Sequence, residues 1–132
     1  MNTTRNPVGW FEIYVNDMTR AKSFYEATLA TTLELLPSSE PSIEMWTFPM
    51  DDEVMNKYGA PGALCKMEGC SGGAGGTLIY FSCEDCEIEA SRAAEAGGSI
   101  LKPKFSIGEH GFISIIMDTE GNTIGLHSAK WQ

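Results

Sequence analysis

The stretch Trp10-Phe11-Glu12-Ile13-Tyr14-Val15-Asn16-Asp17-Met18 decides the fold, because its plan returns later as Leu78-Ile79-Tyr80-Phe81-Ser82-Cys83-Glu84-Asp85-Cys86. A shift of 68 residues lays Trp10 on Leu78, Glu12 on Tyr80 and Asp17 on Asp85. In the first copy Phe11, Ile13 and Val15 alternate with Trp10, Glu12 and Tyr14, the period-two pattern of a strand. A side-chain oxygen then stands ready to cap a helix: Asn16 or Asp17 in the first copy, Glu84 or Asp85 in the second.

Working outward, the spacing predicts a helix from Met18 to about Leu29, with Ala21, Phe24, Tyr25 and Leu29 on its apolar side. Arg20, Lys22 and Glu26 take its wet side. Extended pieces follow at about 32–36, 43–48 and 63–67, punctuated by Pro37, Pro41, Pro49 and Pro61. A glycine-rich linker, 69–75, reads as a flexible connector rather than a phosphate loop, since no Lys-Ser/Thr ending and no helix pattern follow it. The second half repeats the order, with a helix over 86–96 stopped by Gly97-Gly98, and strands at 99–105, 112–117 and 123–127. Asp118-Thr119-Glu120-Gly121-Asn122 is a tight turn between the last two strands. The chain is thus expected to be one α+β domain, 1–132, made of two βαβββ modules, 8–68 and 76–128. Each half is of marginal size for a core of its own, so the two are expected to share one.

Composition narrows the function. The 132 residues include 18 acidic and 9 basic side chains, for a net charge of −9. That balance argues against nucleic acid, which needs a basic face, and against docking on anionic lipid. No apolar run reaches the roughly 20 residues of a membrane helix, and the first residues lack the apolar core of a signal peptide. A cytoplasmic location is the expectation. Cys83-Glu84-Asp85-Cys86 has C-x-x-C spacing, but Cys65 and Cys70 do not supply a second pair at zinc-like spacing. Buried or incidental thiols are the simpler reading of all four.

Phe11–Asp17 with Arg20–Glu26, then Ala96-Gly97-Gly98 and Asp118–Leu126, resemble the vicinal oxygen chelate superfamily of glyoxalase I, extradiol dioxygenases and bleomycin-resistance proteins. The small branch related to lactoylglutathione lyase is the most similar. The resemblance covers nearly the whole chain. It implies that the strands curl into one mixed sheet, a cup with the helices outside, that the cup takes a small molecule, and that two copies form a homodimer. Trp10, Glu12 and Tyr14 would line the cup, with Leu78, Tyr80 and Ser82 beside them. The metal-ligand positions of the metal-dependent members fall on Trp10, Leu64, Leu78 and Gly125, none of which can bind a divalent cation. No metal and no other cofactor is therefore expected there.

Glu12 and His127 each lie two residues beyond a lost ligand position, hence on the same strand face. Glu12 could act as a general base and His127 as a proton shuttle in metal-independent lyase or isomerase chemistry. Against this, Glu12 could be held by a tyrosine or paired with Lys66, and His127 could be merely solvated. His110 could approach the mouth of the cup. Of the aromatic residues Trp10, Tyr14, Trp46, Phe48, Tyr80 and Phe112, some would stack on a ligand and others would be core. The acidic loop 49–59 reads as a short capped helix or solvated lid, lacking calcium-loop spacing. Two functions stay open: a metal-free enzyme, and a binding protein that sequesters its ligand unchanged. A partner domain with an unused cup is a third.

Overall fold

Each copy of the repeated stretch folds as a strand leading into a helix. The computed structural model describes residues 8, 10–37, 42–50, 59–73, 75 and 77–129. Its elements are β1 (Phe11–Tyr14), α1 (Met18–Leu29), β2 (Glu34–Leu36), β3 (Ile43–Thr47) and β4 (Gly62–Met67), then β5 (Ile79–Cys83), α2 (Cys86–Glu95), β6 (Ser99–Ser106), β7 (Phe112–Met117) and β8 (Thr123–Ser128). A 3-10 turn, Gly108–His110, precedes β7. The acidic residues 51–58 of the expected lid lie outside the described residues.

The strands form two four-stranded sheets of matching order, β1-β4-β3-β2 and β5-β8-β7-β6, rather than one continuous ladder. In each, the first strand runs parallel to the last strand of its module and the remaining pairs are antiparallel. The helix caps follow the sequence pattern. Asp17 accepts from the Arg20 N–H at 3.1 Å, and Asp85 from the Glu87 N–H at 3.0 Å. Both carboxylates satisfy helix-end donors that would otherwise lack partners. Gly97, at φ +105°, and Gly98 end α2, and the Gly98 N–H donates to the Ala93 carbonyl at 2.9 Å.

Both helices and one face of each sheet contribute to a single core. Ile13 and Val15 from the first strand meet Ala21, Phe24 and Tyr25 of α1, Ala90 and Ala93 of α2, and Ile116, Ile124 and Leu126 of the second sheet. The rings of Phe11, Tyr25, Phe48 and Phe81 pack across the module boundary, with Phe11 and Phe81 edge to face at 5.7 Å. This shared core supplies the apolar burial that neither half could supply alone.

Candidate functional site

Strand alternation divides β1 between core and open face. Ile13 and Val15 are buried, whereas Glu12 and Trp10 are exposed and Tyr14 is half-buried. Glu12 accepts from the Tyr14 hydroxyl at 2.7 Å and from the Trp10 indole N–H at 3.1 Å, one donor per carboxylate oxygen. The hydrogen bond to Glu12, aided by desolvation and by the carboxylate charge, pushes the Tyr14 phenol up to about 12. Lys66 is not part of this cluster: it pairs in register with Glu44, on the face opposite Glu12.

The second module carries the equivalent face. Tyr80 pairs with Gly125 and Ser82 with His127, which places these four side by side. A Cβ built on Gly125 would overlap the Tyr80 ring, so the ring lies directly over the glycine. Leu64 is placed differently. It is fully buried in the core, in register with Ile13, whereas Glu12 pairs with Ala63. A one-residue step in a strand exchanges faces, so the first-module partner of the open face is Ala63. The long loop before β4 hides this register in the sequence.

The residues that stand where the resemblance puts metal ligands, with Ala63 taking the place of Leu64 on the open face, do not fit a divalent cation. An indole (Trp10), an isobutyl group (Leu78), a methyl group (Ala63) and a glycine (Gly125) offer no imidazole nitrogen or carboxylate oxygen. The Tyr80 ring also fills the space above Gly125. His127 is engaged elsewhere in its own module: its Nε2–H donates to the His110 carbonyl at 2.7 Å. His110 therefore meets His127 through its backbone oxygen. Trp46 lies under the Lys22 ammonium, 4.7 Å from the ring centre, and Phe112 under Lys104 at the same distance. Phe48 is core. Of these six aromatic residues, Trp10, Tyr14 and Tyr80 are left to the open faces.

None of the four cysteines is in a disulfide. Burial pushes Cys65 and Cys83 up to about 12, so both remain thiols at neutral pH.

Where β1 meets β5 and β8, the modules leave a groove of about 230 Å³. Glu12, Tyr14, Ser71, Thr77 and Thr123 line it, together with Ile13, Ile79 and Ile124, of which Ile13 and Ile124 are buried in the core. The linker is tied down over it. The Gly72 N–H donates to Asn16 Oδ1 at 3.3 Å, and the Gly73 N–H to Asn122 Oδ1 at 2.8 Å. Asn122 Nδ2 donates to the Tyr14 carbonyl at 3.1 Å. The glycine-rich segment is therefore anchored at the groove at these two positions, and is more than a spacer.

The turn that holds Asn122 is itself clamped to the first module. Glu120, whose side chain is fully buried, accepts from the N–H groups of Asn16 and Asp17 at 2.8 and 3.0 Å, from Arg20, and from the Thr119 hydroxyl at 2.8 Å. Burial opposes ionisation of Glu120, but the hydrogen bonds from Arg20, Asp17, Asn16 and Thr119 outweigh it and bring the carboxyl down to about 2. Asp118 accepts from the buried Tyr25 hydroxyl at 2.6 Å and from the N–H groups of Glu120 and Asn122, both at 2.8 Å. Sequence reasoning found the turn but not this role. Two carboxylates, Asp118 and Glu120, directly after the strand pattern 112–117, were the available sign.

The fold and the paired sheets define a protein of the βαβββ-repeat class. The chain belongs to the Glyoxalase/Bleomycin resistance protein/Dioxygenase superfamily, whose profile matches residues 8–126. It is similar to a glyoxylase/bleomycin resistance protein/dioxygenase domain from Frankia sp. EAN1pec, at 15% identity and TM-score 0.68, over 96% of this chain and 99% of that one. A glyoxalase/bleomycin resistance protein from Albidiferax ferrireducens T118 is similar at 20% identity and TM-score 0.62, over 93% and 98% of the two chains. Glyoxalase I from Zea mays is similar at 19% identity and TM-score 0.66, over 92% of this chain but 46% of that one, so this chain spans about half its length. At these identities the likeness shows the fold. No protein of curated function matches the chain. Among the described residues, no helix is long and apolar enough to cross a membrane.

Proposed function

We propose that the protein holds a small organic molecule in the groove between its modules and releases it unchanged, without using the family's metal positions. The observation that carries this reading is Glu12, gripped by Trp10 and Tyr14 where the groove opens. Two donors fix the carboxylate in place before any ligand arrives, which lowers the ordering cost of binding. Acid–base chemistry by Glu12 and His127 has less support. Each is bonded to separate partners, and no contact joins them among the described residues. The test is a thermal-shift screen of metabolite-sized compounds, followed by mass spectrometry of each stabilising compound after long incubation. Recovery of the compound unchanged fits the proposal; conversion to product at catalytic protein concentrations would sink it.

The homodimer implied by the family resemblance is also proposed. Its support is the exposed apolar surface of the open faces, with Trp10 at 38%, Leu78 at 39% and Tyr80 at 46% exposure. Sedimentation equilibrium is expected to give twice 14.4 kDa; a monomer at micromolar concentration would exclude it.

A further inference from the structure

The second sheet has no acidic residue in any of its four strands, β5 to β8, although the chain holds 18 acidic residues against 9 basic ones. Its charged side chains are Lys102 and Lys104, with His127 two strands away. Glu84 and Glu109 stand in the flanking segments, outside the strands. The first sheet, by contrast, carries Glu12, Glu34 and Glu44.

The two lysines part at an irregularity in β6. Residues two apart in a regular strand share a face, but the register slips between Lys102 and Phe105. Lys104 turns to the helix side, where its ammonium meets Asp85 at 3.0 Å and lies over the Phe112 ring. Lys102 pairs with Ile115, and Phe105 with Ile113. Directly paired residues share a face, and Ile113 and Ile115 alternate with the buried Ser114 and Ile116. Lys102 and Phe105 therefore stand on the open face, with the Lys102 ammonium 5.9 Å from the centre of the Phe105 ring. Among the described residues, no carboxylate pairs with Lys102.

The register continues inward, with Ile115 opposite Gly125 and Ile113 opposite His127. Two strand spacings, about 10 Å, separate Lys102 from Gly125, where the Tyr80 ring lies. Between the ammonium and that ring, the half-buried Ile113 and Ile115 form an apolar floor on the accessible side. None of these residues lines the groove between the modules. An ammonium without a counter-charge, beside an apolar floor, suits an anion with a hydrocarbon body. One ammonium matches one negative charge. A phosphate ester carries about 1.5 to 2, and Lys104 is already spent on Asp85. We infer that the open face of the second sheet binds a short-chain carboxylate, its head on Lys102 and its hydrocarbon across Ile113 and Ile115. This seat is separate from the groove and does not depend on Glu12.

The test is an NMR titration with hexanoate, n-hexanol and n-hexylammonium, which share a carbon chain and differ in the head group. The methyl groups of Ile113 and Ile115 report on the open face, and the amides of Gly73, Gly75 and Thr77 on the groove. Hexanoate is expected to shift the two methyl groups saturably and to leave the groove amides unmoved, with no saturation by n-hexylammonium. Going from butyrate to hexanoate should tighten binding by about fourfold per methylene at most. Lys102 is exposed and has no ion pair, so Lys102→Gln should weaken hexanoate at least about tenfold while leaving the thermal midpoint unchanged. Equal binding of n-hexanol or n-hexylammonium would overturn the charge assignment, as would indifference of hexanoate to Lys102→Gln. Shifts confined to the groove amides would overturn the seat. If hexanoate moves neither set of signals, the inference falls, while the groove reading stands or falls on its own screen.

Discussion

Arg20 closes on Glu120 as a two-pronged pair, Nε to Oε2 at 2.7 Å and Nη2 to Oε1 at 3.0 Å, joining the first helix to the last hairpin across 100 residues of chain. The same carboxylate caps the N–H groups of Asn16 and Asp17 where β1 turns into α1. Glu120 thus fixes the corner from which Asn16 reaches the linker, while Asn122, two residues on, holds the linker from the other side. One buried carboxylate therefore ties the groove's linker anchors to the module junction, beside the shared apolar core.

Glu120→Gln keeps the size of the side chain and removes the charge. The backbone donors can still bond to the amide oxygen, but the two-pronged ion pair is lost. Because Arg20 is half-exposed, the cost should fall below the roughly 3–5 kcal/mol of a fully buried pair, at about 2–3 kcal/mol. For a chain of 132 residues this lowers the thermal midpoint by on the order of 10 °C. Calorimetry decides it, and a midpoint within 2 °C or so of wild type would refute the clamp.

Acid should act through the same group. The carboxyl of Glu120 is brought from an ordinary 4.5 to about 2 in the folded chain. A depressed carboxylate contributes stability that is fully present above the unfolded value and is lost as pH falls through the folded one. The window here runs from about pH 4.5 down to about pH 2, and the loss amounts to about 3 kcal/mol. Urea unfolding at stepped pH should show wild type losing this stability across the window. Glu120→Gln should lack that part of the slope; parallel curves for the two proteins would contradict the assignment.

The repeat made most of the fold legible, since the strand period, the caps Asp17 and Asp85 and the stop at Gly97-Gly98 are local properties. Register was not. Leu64 and Ala63 differ by one position, and only pairing with Ile13 and Glu12 tells which faces the core. The division of the strands into two sheets depends on how the module edges meet, which is equally non-local. At the site, Glu12, Trp10 and Tyr14 could be grouped because i and i+2 share a strand face. Ser71, Thr77 and Thr123 could not, because they reach the groove only through the path of the linker and the packing of β8 beside β5. Asp118 and Glu120 sit in a turn of ordinary composition, and their partners lie about 100 residues away.

Buried and open-face tyrosines should respond differently to loss of the hydroxyl. The Tyr25 ring is buried, and its hydroxyl bonds to Asp118 at 2.6 Å. Tyr25→Phe leaves a buried carboxylate oxygen short of a donor and should cost about 1–3 kcal/mol. Tyr14→Phe removes a bond to the exposed Glu12 and should cost less than about 1 kcal/mol. Urea midpoints of the two variants rank them; equal losses would show that Asp118 is satisfied without Tyr25.

The Tyr14 phenol also reports directly on Glu12. Its proton is held by the hydrogen bond to that carboxylate, which pushes its titration up to about 12 from 10. In Glu12→Gln the charge that resists phenolate formation is gone, so Tyr14 should titrate back toward 10. Ultraviolet difference titration of wild type and variant, each compared with its Tyr14→Phe counterpart, isolates this one of the four tyrosines. An unchanged Tyr14 titration would mean that the contact between Tyr14 and Glu12 does not persist in solution.

Two glycines next to aromatic rings should differ in what they tolerate. A Cβ at Gly98 would overlap the Met117 carbonyl and approach the Phe24 ring. The carbonyl belongs to β7 and cannot retreat without disturbing the sheet, so Gly98→Ala should cost about 1–3 kcal/mol by overpacking. At Gly125 the overlapping atoms belong to the Tyr80 ring, which is 46% exposed and can rotate outward. Gly125→Ala should therefore cost less, and the cost should depend on Tyr80. With Tyr80→Ala already present the steric term vanishes, and the lower backbone entropy of alanine should turn the effect mildly stabilising, by about 0.5–1 kcal/mol. A double-mutant cycle in urea measures this change of sign. If Gly125→Ala is equally destabilising with and without the Tyr80 ring, the ring does not lie over the glycine, and the steric argument against a ligand side chain at that position fails with it.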